Sequence, residues 1–164
     1  MSSSLTDDVV ALGRLQSAYA DVVNRRAWEE LSPLFRPDCN IHLDLVTSPP
    51  RMIAGPDEFR SFVAAAVGRY DHFTFVILNS VVDVERDTAT GRIFMCEVRH
   101  DAASDSWQNA HGLYRDRYVR IVDGQWQFAE RRYRSLARTG PGGGVLGLPD
   151  DLWSPGVAQD TDPA

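Results

Sequence analysis

Lysine is absent from this sequence: all seventeen basic residues are arginine. Without a side-chain amine there is no Schiff-base nucleophile, no pyridoxal-phosphate anchor, no phosphate-loop lysine and no protein-kinase lysine. Cysteine is scarce as well. Cys39 and Cys96 cannot build a disulfide scaffold or a cysteine-rich zinc site. No run approaches the ~20 continuous apolar residues of a membrane span. Met1-Ser2-Ser3-Ser4 lacks the basic and apolar regions of a signal peptide. A soluble, cytoplasmic protein with no membrane partner is therefore expected. An excess of positive charge is also missing. The net charge is −6, and residues 139–164 hold four aspartates and no arginine, so the rest of the chain is close to neutral. Nucleic acid is not an expected partner, because its electrostatic footprint is a clear basic excess.

What is present suits one globular domain: 164 residues, 43% of them apolar and 10% aromatic, enough to bury a core without a disulfide or metal. Thr6 is the expected cap of a first helix, with Asp7 and Asp8 in the first turn where the helix dipole favours negative charge. Val9, Leu12, Leu15, Tyr19 and Val22 or Val23 recur at helical spacing as far as about Asn24. A second short helix is expected over Ala27 to Phe35, limited by Pro33 and Pro37. A third follows Gly55, with Pro56 at its first position and Phe59, Phe62, Val63, Ala66 and Val67 as its buried stripe. The remainder before residue 139 reads as strands: Cys39 to Val46, Phe73 to Val84, Ala89 to Arg99, Trp107 to about Ile121, and Gln125 to Leu136 after the Asp123-Gly124 turn. Helices followed by consecutive hairpins predict an α+β fold.

The composition changes at Thr139, which divides a domain over 1–138 from a tail over 139–164. The glycines of Gly140–Gly144 look too flexible to join a strand or helix. Val145 to Trp153 is apolar enough to lie as a strap over a pocket or a neighbouring subunit, and disorder is expected beyond Pro155.

Several blocks resemble the SnoaL-like branch of the NTF2-like superfamily, which includes scytalone dehydratase and ketosteroid isomerase. They are Tyr19-Ala20 through Asn24-Arg25-Arg26-Ala27-Trp28, Leu34-Phe35-Arg36-Pro37-Asp38, Ile53-Ala54-Gly55, Asn79 to Val84 with Asp87-Thr88-Ala89, and Tyr114 to Arg120 with Asp123-Gly124 and Trp126. The resemblance implies an NTF2-like cone, with three N-terminal helices packed in a strongly curved, mostly antiparallel sheet around an apolar cavity. It also implies a homo-oligomer, dimer or trimer, assembled through the sheet. Catalytic members pair an aspartate near the end of the first helix with a histidine on a strand. Here the corresponding positions carry Asn24 and Phe75, and a slip of up to three residues would bring His72 into the histidine's place.

With no lysine and no recognisable metal-ligand spacing, proton transfer would fall to carboxylates, imidazoles and phenols. His111 lies on the strand where scytalone dehydratase carries a catalytic histidine. Counting back from Trp126 leaves two registers, one placing His111 inward and one outward. Tyr19 is either a proton donor or a core aromatic with its hydroxyl satisfied. His42 and Asp44 share a strand face, as a histidine and an orienting carboxylate would. Asn24, Trp28, Asp44, Phe59, Phe75, Trp126 and Tyr133 are candidate substrate-binding residues around the cavity, although aromatics at such spacings also describe plain core. Arg131-Arg132 reads first as a pair of structural cations partnered by Asp116 or Glu130.

Three functions follow as expectations. The first is an acid–base lyase, isomerase or cyclase acting on an apolar molecule of polycyclic, polyketide, terpenoid or steroid-like kind, with no metal and no cofactor, using His111, Tyr19 and His72. The second is a non-catalytic pocket for a small apolar ligand. The third is an assembly subunit like the small subunit of ring-hydroxylating dioxygenases.

Overall fold

A computed structural model describes residues 4–150. Helix α1 (Leu5–Arg25) is capped by Ser4 rather than Thr6. The Ser4 hydroxyl accepts from the Asp7 N–H at 3.2 Å, and the Asp7 carboxylate accepts from the Ser4 N–H at 3.1 Å, a reciprocal capping box. Arg26, left-handed at φ 57°, ends the helix. The expected second helix is instead two single 3-10 turns, Trp28–Glu30 and Ser32–Leu34. Pro33 offers no N–H to an α ladder, so the segment cannot run on as one helix. Helix α2 (Pro56–Gly68) starts with proline in its first turn behind Gly55, as the sequence predicts.

The strands are β1 (Phe35–Asp44), β2 (Arg51–Ala54), β3 (His72–Glu85), β4 (Thr88–Asp101), β5 (Ser106–Arg120), β6 (Trp126–Arg138) and β7 (Gly144–Val145). They form one sheet in the order β2-β1-β6-β5-β4-β3, with β7 paired to the end of β6. Every pairing is antiparallel except β1 with β6. Phe35 therefore belongs to a strand, not to a helix. Two short strands were not expected. Arg51–Ala54 pairs with β1, and Gly144–Val145 pairs with Ala137 and Arg138. The glycines before β7 make that return possible. Gly140 stands at φ +86°, and a Cβ on Gly143 would lie 2.5 Å from the Arg138 carbonyl oxygen.

Register shifts at Ile77/Asn79, His111/Gly112 and Arg117/Tyr118 bend the sheet. Both helices lie in its concave face. Leu12, Leu15, Tyr19, Val22 and Val23 of α1 and Phe59, Val63 and Val67 of α2 meet Ile41, Phe75, Ile93, Met95, Phe128 and Tyr133 of the sheet in one core. At one end Arg120 pairs with Asp8 at 2.7 Å and its guanidinium lies over the Trp126 ring. The other end opens on a cavity. Among the described residues no helix is long and apolar enough to cross a membrane.

Candidate active site

The cavity has a volume of about 350 Å3, at the small end of ligand pockets. Val23, Val63 and Val67 of the helices and Leu43, Phe73 and Phe75 of the strands give it apolar walls. Its polar groups are Tyr19 on α1, Glu97 and Arg99 on β4, Gln108 and Tyr114 on β5, Tyr133 and Arg138 on β6, and Tyr70, Arg69 and Thr139, with the exposed Arg69 and Thr139 marking the mouth.

The floor rests on a buried cation. Arg131 is 2% exposed and donates to both oxygens of Asp116, at 2.9 and 2.7 Å. Its guanidinium carbon lies 4.2 Å from the Tyr19 ring centre and 4.1 Å from that of Tyr114, so the cation also faces two π clouds. Asp116 accepts a further bond from Tyr118 at 2.9 Å. Tyr118 in turn accepts from Gln16, and Gln16 accepts from Ser80 at 2.6 Å. The structural ion-pair reading of Arg131 with Asp116 is the arrangement found.

Burial sets the chemistry of the phenols. It raises the pKa of Tyr19, a rise opposed by the charge of Arg131 and a hydrogen bond with Tyr114. Tyr114 is raised well above the ordinary tyrosine value, by burial first and by Tyr19 next. Tyr133 is pushed up to about 12, again mainly by burial. All three keep their protons at neutral pH, so each has one O–H to donate.

One carboxylate faces them. Glu97 lines the same cavity, and its negative charge adds to the rise at Tyr19, Tyr114 and Tyr133. Arg99, two residues on and on the same strand face, forms an ion pair with Glu97 and donates to the Tyr70 hydroxyl at 3.3 Å. Both side chains of this pair are 18% exposed. Neither Glu97 nor Arg99 nor Tyr114 was picked out from the sequence. The signal was there in the alternation of β4: Ile93 and Met95 are buried inward positions, and the same parity carries Glu97 and Arg99 into the cavity.

Of the sequence candidates, Tyr19, Phe59, Phe75 and Tyr133 line the cavity. His111 does not. A Cβ on Gly112 would lie 2.2 Å from the Tyr133 ring, so Gly112 and Tyr114 face inward and His111, one residue earlier, faces outward beside Cys96 of β4. His72 is also on the outer face, bonded to Thr74 at 3.0 Å and against the Trp107 ring. Asn24 is occupied by backbone. Its amide donates to the Phe75 carbonyl at 3.0 Å and its oxygen accepts from the Phe75 N–H at 2.6 Å, which pins α1 to β3. Trp28 packs on the outside of the core, and Trp126 is buried at the far end with its indole N–H directed to Asp8. Asp44 pairs with Arg134 and His42 lies 3.6 Å from Glu130, so these two do not partner each other. Among the described residues no three metal-ligating side chains come together.

His100 sits outside the cavity, between Asp71 at 2.8 Å and Asp105 at 3.2 Å. Its pKa is raised, first by the Asp71 hydrogen bond. The pairing is therefore complete below the unfolded value of about 6.5 and is lost as pH rises through the higher folded value. An NMR titration is expected to find His100 above the ordinary histidine value, and Asp71→Asn to bring it back down. An unshifted wild-type titration would contradict the pairing.

Residues 4–132 match the SnoaL-like domain family. The chain belongs to that family. No curated protein matches it. Among solved structures, this SnoaL-like chain is similar to a Novosphingobium aromaticivorans protein provisionally named scytalone dehydratase (23% identity, 82% of this chain and 87% of that one, TM-score 0.71). It is also similar to the hexachlorocyclohexane dehydrochlorinase LinA-type3 from Novosphingobium barchaimii (19% identity, 88% and 97%, TM-score 0.72). A third is an NTF2-like protein with a cystatin-like fold from Novosphingobium aromaticivorans (20% identity, 80% and 84%, TM-score 0.65). At these identities the likeness establishes the NTF2-like α+β fold.

Proposed function

We propose that this SnoaL-like protein catalyses proton transfer on a small, largely apolar molecule bearing a carbonyl oxygen, by isomerisation or elimination. The observation that carries the reading is one carboxylate, Glu97, facing three protonated phenols inside an apolar cavity. In this reading Glu97 takes a proton from the carbon next to the carbonyl, and the C–H electron pair moves onto the oxygen as an enolate. Tyr19 donates to that oxygen, supported by its hydrogen bond with Tyr114 and by the Arg131 cation beneath both rings. Return of the proton to another carbon isomerises the molecule. If a leaving group stands one carbon further on, the electron pair expels it instead. The names of the two similar structures, a dehydratase and a dehydrochlorinase, describe eliminations and support the same class.

The test is exchange of the α-protons of 2-tetralone in deuterated water, followed by NMR. The protein is expected to accelerate exchange above buffer, and 2-naphthol, which has the shape of the bound enol, to inhibit it. Exchange no faster than buffer, with 2-naphthol bound in the cavity, would favour a second reading, a binding protein. One observation supports that alternative: the positions of the family's aspartate and histidine hold Asn24, spent on backbone, and Phe75.

A further inference from the structure

The mouth of the cavity is cationic in an acidic chain. Arg69, Arg99 and Arg138 line the cavity against one carboxylate, Glu97, although the chain as a whole carries −6. Arg99 is already paired with Glu97, which leaves the other two cations unbalanced. Among the described residues neither Arg69 nor Arg138 has a carboxylate within 4.0 Å. Arg138 reaches neutral acceptors, the Thr47 hydroxyl and the Leu45 carbonyl, each at 3.2 Å. Arg69 donates to the Ala66 carbonyl at 3.4 Å. Asp71, two residues on from Arg69, is taken by His100, and Asp44, next to the Leu45 that Arg138 reaches, is taken by Arg134.

These cations form one neighbourhood. Arg69 and Arg99 lie over the same ring, that of Tyr70, at 5.6 and 5.4 Å. Arg99 and Arg138 both bear on the Tyr133 hydroxyl. The Nε of Arg99 is buried and has no hydrogen-bond partner among the described residues. A guanidinium N–H withdrawn from water without an acceptor is unfavourable, and an anion relieves it. Exposed rim arginines are commonly just solvated. Arg99 and Arg138 are not exposed, and low-dielectric walls strengthen their field.

Building on the proton-transfer cavity described above, we propose that its ligand carries an anionic group, carboxylate or phosphate, at the end facing the mouth. Arg99, Arg138 and Arg69 hold that group while the reacting oxygen lies at the tyrosine floor. The substrate class is then a small acid with a carbonyl at its far end.

Fluorescence titration of the full chain with 2-naphthol, 6-hydroxy-2-naphthoate and 6-hydroxy-2-naphthyl phosphate tests this. At least one anionic probe is expected to bind on the order of tenfold or more tighter than 2-naphthol, as charged hydrogen bonds allow. The tighter of the two identifies carboxylate or phosphate. The preference should shrink at high salt and in the Arg69→Gln/Arg138→Gln double variant. Equal affinity for the neutral and both anionic probes would overturn the anion site and leave the cavity reading standing. A preference that survives both salt and the double variant would overturn the assignment to Arg69 and Arg138. Failure of all three probes to bind would remove the cavity reading and this inference together.

Discussion

Asp116→Ala is expected to destabilise the fold by about 3–5 kcal/mol, the effect of breaking a buried ion pair from one side. Asp116 and Arg131 are both 2% exposed. Removing the carboxylate leaves Arg131 without a counter-ion and the Tyr118 hydroxyl without its acceptor. The rings of Tyr19, Tyr114 and Phe128 surround the guanidinium with and without the carboxylate, so they do not replace the lost counter-ion. In a chain of this length the net loss corresponds to a melting temperature lower by roughly 10 °C. Replacing both partners with apolar side chains of similar volume should be far milder, since no charge is then left buried. Thermal and denaturant melts of the single and double variants check both statements. A single variant within 1 kcal/mol of wild type would mean that water or a rearranged side chain takes the carboxylate's place.

Glu97→Gln is expected to slow α-proton exchange of 2-tetralone by on the order of 10²–10⁴-fold, the usual contribution of a positioned general base. Glutamine keeps the volume of the side chain and an oxygen for the Arg99 hydrogen bond, but it cannot take up a proton. The effect should therefore fall on turnover. The phenols of Tyr19 and Tyr114 remain protonated through the neutral range, because burial raises both, so the affinity for 2-naphthol should stay close to wild type. A variant that lost affinity as well would point to a disturbed cavity instead of a missing base.

Most of the fold could be read from periodicity. The stripe of Leu12, Leu15, Tyr19, Val22 and Val23 and the proline at the start of α2 are strong local signals, and the long strands β3 to β6 fall within a residue or two of expectation. The two short strands could not be read the same way, because Arg51–Ala54 and Gly144–Val145 are stabilised by the edges they join and not by their own residues. The site was less legible. Whether His111 enters the cavity depends on one residue of register, and that is fixed by the close approach of Tyr133 to Gly112, a contact between different strands. Glu97 and Arg99 look like ordinary strand polarity until the inward parity of β4 is known. Asn24 looked like a ligand-facing amide, and its use by the Phe75 backbone depends on the distance between α1 and β3. Arg131 was legible because an arginine on a strand needs a carboxylate partner, and Asp116 stands opposite it in register.

The central claim is that Glu97 acts as a base on a molecule whose oxygen is held by the buried Tyr19. It is tested most directly by measuring 2-tetralone exchange and 2-naphthol affinity on the same preparations of wild type and Glu97→Gln. The expected result is a wild type faster than buffer and a variant reduced towards buffer, with 2-naphthol bound equally by both. Equal exchange in the two proteins would show that the proton is taken elsewhere, and it would contradict the account.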